Sequence, residues 1–287
     1  MALKPQKALH LHIEADKKKP KFVGEEYMVF EKHDGWYGYI DLPSCTIHSR
    51  AMREIPALRD FSIELQSKAP TVRGRLLFEI MIEGMEIDSF HTLNGILNRK
   101  NEQVDDVYLR VHDFIPLNQA HMVAKTRYEF ASEIVSRFAD SRVRVSPLLG
   151  VSSNPDKWQA LADKCWQDGK EGVILKRSNA PYSFEKRNAD LMKIKEEVTL
   201  DLLVVDVIGG EGKYYHTLGA LVVEGKNGIR HKVSGMTDAQ RDDWWTQPNT
   251  IKGKVVEVKA MKVLKDGTLR EPRFKAIRFD KSPTEID

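Results

Sequence analysis

The chain has 287 residues, of which 41% are hydrophobic and 30% charged, and this balance is typical of a globular protein with one large or two ordinary domains. No apolar run approaches the length of a membrane span, and the N-terminus lacks the apolar segment of a secretory signal. The two cysteines, Cys45 and Cys165, are too few for a disulfide framework or a zinc site. We therefore expect a cytoplasmic protein without a membrane partner.

The net charge is only +3, but the positive charge is concentrated at the two ends of the chain. Residues 251–281 hold ten Lys or Arg and four acidic residues. Near the N-terminus the lysines are Lys4, Lys7, Lys17, Lys18, Lys19 and Lys21. Such runs are often solvated faces, and they are equally typical of a protein that grips nucleic acid at two places.

The first elements in chain order surround a lysine. An apolar strand over Tyr27–Glu31 precedes Lys32, and Asp34-Gly35 then provides a turn into a second strand over Trp36–Asp41. An ammonium beside low-dielectric walls loses its charge more easily than one in water, and the neutral amine is a nucleophile. Taken alone, the pattern is better explained as a strand end followed by an Asp-Gly hairpin turn.

The next strands bring a carboxylate and a histidine. An extended segment at Thr46–Arg50 and an irregular charged stretch precede a strand over Arg75–Ile82, whose apolar run is interrupted by Glu79. A buried carboxylate in a strand needs a cationic partner or a metal. Another strand, Val107–Ile115, carries His112.

Helices and strands then alternate. Asn118 is a predicted N-cap for a helix with Met122, Phe130, Ile134, Val135 and Phe138 on one face. A strand is predicted over Val143–Leu149, and Asn154-Pro155 opens a second helix that Gly169 closes.

A strand with charged ends follows at Glu171–Lys176. The run Leu191–Lys195 alternates apolar and basic residues, so Lys193 and Lys195 share one face of a strand. Two ammonium groups side by side favour an anion between them, although lysines also protect exposed sheet edges.

From about Asp201 the pattern changes to short strands separated by glycine turns, with one helix over Thr237–Trp245. This predicts a compact barrel of the OB kind. We place the domain boundary so that residues 1–198 and 199–287 form separate domains. Gly212-Lys213 is followed by Tyr214, so the segment is not a phosphate-binding P-loop.

Taken together, these motifs resemble, in order, those of the ATP-dependent DNA ligases, which belong to the covalent nucleotidyltransferase superfamily. The resemblance extends over nearly the whole chain, in the unadorned two-domain layout of viral and phage ligases. The matching segments are Lys32-His33-Asp34-Gly35, Ser49-Arg50, Leu77-Phe78-Glu79, Val111-His112-Asp113, Glu171–Lys176, Lys193-Ile194-Lys195, and Arg270–Phe274 with Arg278–Lys281.

The resemblance implies an α+β fold: an adenylation (nucleotidyltransferase) domain with antiparallel sheets and flanking helices, followed by a C-terminal OB-fold β-barrel. The implied catalytic residues are Lys32, Asp34, Lys193, Lys195, Arg278 and Lys281. The implied ATP-binding residues are Glu31, Lys32, Arg50, Glu79, His112, Glu171, Lys176, Lys193 and Lys195, with Glu79 and Glu171 also holding Mg²⁺ or Mn²⁺. The implied DNA-binding residues are Ser49, Arg50 and Arg273. The lysine-rich N-terminus adds Lys17, Lys18 and Lys19 as expected DNA contacts, in partial place of the DNA-binding domain that many relatives carry there.

Several positions depart from the family pattern. Tyr37 stands where an arginine is usual, and Leu77-Phe78-Glu79 replaces Asp-Gly-Glu. His112 replaces Phe or Tyr, and protonation of its ring would make adenine stacking dependent on pH. Phe30 stands where many relatives have a glutamate, with Glu31 next to it.

The expected activity is sealing of nicks in double-stranded DNA by a monomer, in the host cytoplasm if the protein is viral. Lys32 would take AMP from ATP while Arg278 and Lys281 orient the departing pyrophosphate, which requires the two domains to close over ATP. The alternatives are an RNA ligase or mRNA-capping guanylyltransferase of the same superfamily, or a non-catalytic OB-type nucleic-acid-binding protein.

Overall fold

The structure is a computed structural model that describes residues 4–11, 24–42, 44–85, 89–99, 104, 106–264 and 266–287. The chain divides into two compact units, Met1–Lys195 and Glu196–Asp287. The strands of the first unit are β1 (Lys7–His10), β2 (Tyr27–Glu31), β3 (Trp36–Asp41), β4 (Thr46–Ser49), β5 (Gly74–Ile82), β6 (Val107–Pro116), β7 (Val143–Val145), β8 (Leu148–Ser152), β9 (Gly172–Arg177) and β10 (Arg187–Lys195). Its α-helices are α1 (Arg59–Lys68), α2 (Ser89–Leu97), α3 (Ala124–Phe138) and α4 (Pro155–Gln167).

One sheet of the first unit has the order β1-β10-β9-β2-β8. Apolar side chains of β2, β9 and β10 pack on α4 around the fully buried Trp158. In β10, Met192 and Ile194 belong to this core, so Lys193 and Lys195 lie on the opposite face of the strand, as the alternation predicts.

The other sheet has the order β4-β3-β5-β6-β7, and its core lies against α1, α2 and α3. β2 and β3 do not pair with each other but belong to different sheets, so the segment Lys32–Gly35 crosses from one sheet to the other and is not a hairpin turn. The sheets are mixed, because β1 pairs with β10 and β6 pairs with β7 in parallel. The expectation of purely antiparallel sheets is therefore corrected for these two pairs.

Three predicted local structures differ from the observed ones. The helix after β6 begins at Ala124, while Asn118 adopts φ 62° in a turn and Phe130 is exposed. The stretch taken as irregular contains α1, which buries Phe61 and Leu65. The single strand predicted over 143–149 is two strands in different sheets, because Pro147 follows Ser146 at a point where the chain leaves the first ladder.

The strands and the α-helix of the second unit are β11 (Val198–Gly209), β12 (Leu218–Glu224), β13 (Arg230–Val233), α5 (Asp238–Thr246), β14 (Val255–Ala260), β15 (Lys262–Val263), β16 (Leu269–Arg270) and β17 (Arg273–Ile277). The unit is built on a five-stranded antiparallel sheet with the order β13-β12-β11-β14-β17. A single bridge, between Ser234 directly after β13 and Arg273 of β17, is the contact between the two edge strands. Among the described residues the sheet therefore does not close into the predicted β-barrel.

The helix of the second unit begins at a capping box, in which Thr237 and Gln240 bond each other's backbone N–H groups. It buries Trp244 against Phe274 of β17 with the ring centroids 5.4 Å apart. Across the described ranges of both units, no helix combines the length and the apolar character that crossing a membrane requires.

Candidate active site

Lys32 follows directly after β2, and its position depends on a glycine in the neighbouring strand. Its backbone N–H donates to the carbonyl of Gly172 at 2.9 Å. Gly172 has φ +138°, and a Cβ there would lie 2.2 Å from the carbonyl oxygen of Ile194. Only glycine therefore permits this approach of β9 and β10, which brings Lys32, Glu171 and Lys193 to one place.

The turn after Lys32 lies directly on the other sheet. A Cβ at Gly35 would be 2.5 Å from both the carbonyl oxygen of Ile80 and the sulfur of Met81. Gly35 thus lets the backbone contact β5, the strand that carries Glu79. The two sheets meet where the predicted nucleophile and the predicted carboxylate are.

The side chain of Lys32 makes an ion pair with Glu171. Its Nζ lies 2.6 Å from Oε2 of Glu171, and the two side chains are 19% and 12% exposed. The carboxylate is therefore placed to accept a proton from the amine, and neither side chain is fully buried.

Further cations surround this pair. Burial lowers the pKa of Lys193, and the positive charges of Lys32 and Lys195 lower it further. Lys195 pairs with Gly172 in the β9–β10 ladder, two residues along from Lys193. The concentration of positive charge matches a site for a polyanion such as a triphosphate.

A second acidic residue beside Lys32 is already engaged within the protein. The Oε2 atom of Glu31 lies 2.5 Å from Nζ of Lys170, and Oε1 lies 3.3 Å from Nδ1 of His33. Although burial opposes it, hydrogen bonds from His33 and Lys170 lower the pKa of Glu31 to about 2. His33 is held in turn by Ser146, with 2.9 Å between Nε2 and Oγ.

Next to Lys32 the two sheets enclose a pocket of about 820 Å³, including the part open to solvent. Six of the predicted ATP-binding residues line it, from both sheets: Glu31, Lys32, Arg50, Glu79, His112 and Lys176. Phe30 and Ile174 provide apolar wall. Glu171, Lys193 and Lys195 are not among the lining residues, although Glu171 contacts Lys32 and Lys32 acts on the pKa of Lys193. Rings for a base together with a cation for phosphates suit a nucleotide.

The wall on the base side contains a buried ionic network. Asp113 accepts from Arg127 at 2.8 and 3.2 Å and from Lys176 at 3.1 Å, and Lys176 also donates to the carbonyl of His112. Although burial opposes it, Arg127 and Lys176 hold the pKa of Asp113 well below its usual range. The network fixes the backbone of β6 beside the pocket.

His112 faces the pocket from this wall. Burial lowers its pKa well below 6.5, and the charge of Lys176 lowers it further. The imidazole is therefore neutral at physiological pH. Protonation of this ring should not make adenine stacking depend on pH in that range.

Glu79 lies on β5 across from Tyr37 and lines the pocket. Burial raises its pKa to about 8, although Lys32 and Arg50 act in the opposite direction. A nearby cation would stabilise the ionised form of a carboxyl group that is buried in this way. Among the described residues, no group of three or more His, Cys, Asp or Glu is arranged to hold a metal ion.

The remaining predicted residues of the first unit lie around the site with different exposure. Arg50 places its guanidinium 4.7 Å over the ring of Tyr37. Ser49 is buried, and its Oγ accepts from the N–H of Arg53 at 3.3 Å. Asp34 lies close enough to Glu79 to affect its pKa. Lys17, Lys18 and Lys19 lie outside the described residues.

In the second unit, two predicted cations share one buried carboxylate. Arg278 contacts both oxygens of Asp201 at 2.8 and 3.0 Å, and Lys281 contacts Oδ2 at 2.5 Å. Asp280 engages the other side of the Arg278 guanidinium at 2.7 and 2.9 Å. Arg273, on β17, is exposed and pairs with Glu271 at 3.0 Å.

Several residues of the site were not predicted. Ala8 of β1 and Gln6, which directly precedes this strand, reach the pocket because β1 adds to the sheet beside β10. Arg127 and Tyr182 line it from α3 and from a loop, and no pattern near them indicates a role. Lys170 could have been predicted from the sequence, because it directly precedes Glu171 in the chain.

The first unit has two sheets with Lys32 in the segment that connects them, and the second unit is built on one antiparallel sheet. This arrangement is that of a nucleotidyltransferase with an OB-type domain. Residues 15–195 match the family model of the ATP dependent DNA ligase domain, and residues 209–278 match that of the DNA ligase OB-like domain. Because the first match alone spans more than half of the sequence, the chain belongs to the ATP-dependent DNA ligase family.

Individual relatives give the same family. A DNA ligase of Halobacterium salinarum is 30% identical over 174 residues, covering 52% of this chain and 31% of the relative. A DNA ligase of Nanoarchaeum equitans is 29% identical over 315 aligned positions, covering 92% of this chain and 55% of the relative. The chain thus spans about a third to a half of the length of these relatives.

Among solved structures, a Lig E DNA ligase, an example of DNA binding with a minimal scaffold, superposes with a TM-score of 0.73. The match covers 97% of this chain and all of that one at 20% identity. At this identity the likeness shows the fold.

Proposed function

We propose that this protein is a DNA ligase that seals nicks with a 5′-phosphate and a 3′-hydroxyl in double-stranded DNA, using ATP. The single observation that carries the proposal is the contact between Lys32 and Glu171, 2.6 Å long, at the cationic end of a pocket lined for a nucleotide. Family membership supplies the reaction class, and the geometry supports Lys32 as the residue that becomes adenylated.

In the first step the amine of Lys32 attacks the α-phosphorus of ATP. A phosphorus–nitrogen bond forms, the bond to the pyrophosphate oxygen breaks, and Glu171 accepts the proton that the amine loses. Lys193 and Lys195 offset the negative charge that would otherwise repel the entering nucleophile. Arg278 and Lys281 are proposed to orient the pyrophosphate, for which they must first leave Asp201.

In the following steps the 5′-phosphate of the nick takes AMP from Lys32, and the 3′-hydroxyl then displaces AMP as the new phosphodiester forms. Arg50 is exposed at the mouth of the pocket and is proposed to bind the 5′-phosphate. Contacts from Arg273 and from Lys17, Lys18 and Lys19 would be to phosphates, so DNA binding should weaken as salt increases.

Glu79 and Glu171 fit a magnesium or manganese ion by donor type, since both metals prefer carboxylate oxygens. The desolvated carboxyl of Glu79 is the feature that favours such an ion. When bound, the ion would neutralise charge on the phosphates. The donor set is incomplete without oxygens from the nucleotide or from water, because the described residues offer no larger acidic group.

The proposal is tested by incubating the protein with magnesium and ATP labelled at the α-phosphate. Wild type should become covalently labelled and Lys32→Ala should not. Lys164→Ala, which removes an exposed lysine of α4, is the matched control and should be labelled like wild type. Labelling of Lys32→Ala at the wild-type level would show that another residue is the nucleophile.

Two more arms separate the alternatives. A capping guanylyltransferase would be labelled by GTP instead of ATP, and an RNA ligase would seal nicked RNA in preference to nicked DNA. A non-catalytic binder would retain DNA without forming an adenylate. Sealing of a labelled nicked DNA duplex with ATP and magnesium, lost in Lys32→Ala, would support the proposal directly.

A further inference from the structure

Two short segments, Glu31-Lys32 at the end of β2 and Lys170-Glu171 before β9, are joined by two ion pairs. Nζ of Lys32 lies 2.6 Å from Oε2 of Glu171, and Nζ of Lys170 lies 2.5 Å from Oε2 of Glu31. Each segment therefore supplies one acid and one lysine, and each lysine is paired with the acid of the other segment. Because each lysine also has an acid as its neighbour in the chain, the choice of partner depends on how the side chains are held.

The backbone of Lys170-Glu171 is fixed by the end of α4. Gly169 has φ 74°, and its N–H donates to the carbonyl of Trp166 at 2.9 Å. The N–H of Lys170 donates to the carbonyl of Cys165 at 2.8 Å, which completes a Schellman motif. The indole N–H of Trp166 also donates to the carbonyl of Glu171 at 3.2 Å. The two charged side chains are thus carried by a well-fixed backbone.

The carboxylate of Glu31 has partners for both of its oxygens inside the protein. Besides Lys170 at Oε2, Nδ1 of His33 lies 3.3 Å from Oε1, and Ser146 holds the other ring nitrogen of His33 at 2.9 Å. Although burial opposes it, hydrogen bonds from His33 and Lys170 lower the pKa of Glu31 to about 2. The carboxylate is therefore charged and already engaged at both oxygens before a nucleotide binds.

The alternation of β2 directs Glu31 and Lys32 to different faces of the sheet. Glu31 continues the face of Val29, which packs in the core with α4, whereas Lys32 continues the face of Phe30, which lines the pocket. Burial raises the pKa of Cys165 in α4, and the charge of Glu31 raises it further, in agreement with a carboxylate directed toward this helix. The Glu31–Lys170 pair thus belongs to the helix side of the sheet.

An ammonium at position 170 would interfere with the reaction if it were not held in this way. Lys170 directly precedes Glu171, the carboxylate that pairs with Lys32. A lysine side chain is a point charge on a flexible stem and is attracted to the nearest carboxylate. Without Glu31, Lys170 would compete with Lys32 for Glu171 and would draw the carboxylate away from the nucleophile.

We propose that Glu31 is a positioning residue that holds Lys170 away from Glu171 and so reserves the Glu171 carboxylate for Lys32. The inference rests on the proposed function, because it takes Lys32 as the nucleophile and Glu171 as its proton acceptor. It gives Glu31 a role other than the nucleotide contact that the family resemblance implies.

The test is a double-mutant cycle with Glu31→Gln and Lys170→Met, each of which removes one charge and keeps a side chain of similar length. Adenylation is measured over a range of concentrations of ATP labelled at the α-phosphate. Glu31→Gln should lose about tenfold in maximum rate, the size of one hydrogen bond to a charged group, with the KM for ATP unchanged. Adding Lys170→Met to Glu31→Gln should restore most of this loss, because the competing ammonium is then absent.

Glu133→Gln is the matched control, since it removes the same carboxylate from an exposed pair with Arg137 on α3, also 2.5 Å long, and should react like wild type. A higher KM for ATP in Glu31→Gln that Lys170→Met does not lower would overturn the proposal, because Glu31 would then contact the nucleotide. A double variant as slow as Glu31→Gln would overturn it too, since the pair would then serve only the fold.

A crystal structure of Glu31→Gln without nucleotide keeps this test separate from the ligase proposal. Nζ of Lys170 should lie within hydrogen-bond distance of the Glu171 carboxylate in the variant. That displacement would support the role of Glu31 even if wild type formed no adenylate, in which case the proposed function alone would fail. A Lys170 side chain that stays in its wild-type position would reject the inference even in an active ligase.

Discussion

The two ends of the nucleotide pocket use similar charged residues in opposite ways. On the base side, Asp113 is matched by Arg127 and Lys176, all three side chains are no more than 7% exposed, and each has a defined partner. On the lysine side, Lys32 and Lys193 lie close together, and the carboxyl of Glu79 is desolvated enough for its pKa to rise to about 8.

The difference separates structural from chemical use of buried charge. A buried charge that is fully paired keeps its position and is costly to disturb, whereas charges of like sign held close together gain free energy when a ligand of opposite charge arrives. We therefore expect substitutions on the base side to reduce stability, and substitutions on the lysine side to reduce activity at little cost in stability.

The largest effect is expected for Asp113→Ala, which leaves Arg127 and Lys176 buried without a counter-charge. The free energy of unfolding should fall by about 3–5 kcal/mol. Glu83→Ala is the control, because it removes the exposed ion pair with Arg144, 2.7 Å long, and should cost about 1 kcal/mol or less. Chemical denaturation of both variants measures the difference. Equal losses would show that burial of the first pair does not matter.

A smaller effect, on rate instead of stability, is expected for Glu171→Gln. The amide keeps the shape but cannot take a proton from Lys32, so adenylation should slow by about 100-fold or more. The free energy of unfolding should change by about 1 kcal/mol or less, because the pair is partly exposed. Single-turnover labelling with ATP and denaturation are compared on the same samples. A large loss of stability with normal labelling would contradict the expectation that Glu171, on the lysine side, serves activity more than stability.

The smallest effect concerns pH and His112→Phe. Because the folded protein holds the pKa of His112 below 6.5, the unfolded chain binds a proton more readily, and wild type loses stability as pH falls below 6.5. The variant should escape about 1 kcal/mol of this loss between pH 6.5 and 5.5. Equal losses of stability with falling pH in wild type and variant would contradict this prediction. A pH-dependent ATP affinity above pH 6.5 that is present in wild type and absent in His112→Phe would also contradict it.

The sequence predicted the parts of the site that lie within short motifs. The strands on both sides of Lys32 have the predicted bounds, and the alternation in β10 correctly places Lys193 and Lys195 on one face. Glu79 was recognised because a carboxylate interrupts an apolar run. In each case the periodicity of a strand is sufficient to fix the direction of the side chain.

Contacts between distant segments were beyond the reach of the sequence. Nothing near Arg127 indicates that it binds Asp113, since the two meet only when α3 packs on β6. The addition of β1 beside β10, which brings Gln6 to the pocket, also depends on tertiary structure. The helix expected from Asn118 begins later, because local capping chemistry there is used in a turn instead.

The connection Ser146-Pro147 limits how far the two sheets can move apart at one side of the pocket. It joins β7 and β8, which are the edge strands of the two sheets, and Ser146 is bonded there to His33 and, through its carbonyl, to Tyr128. Ser146 also lines the pocket. Any change in the spacing of the sheets on ligand binding should therefore be smallest beside this two-residue connection.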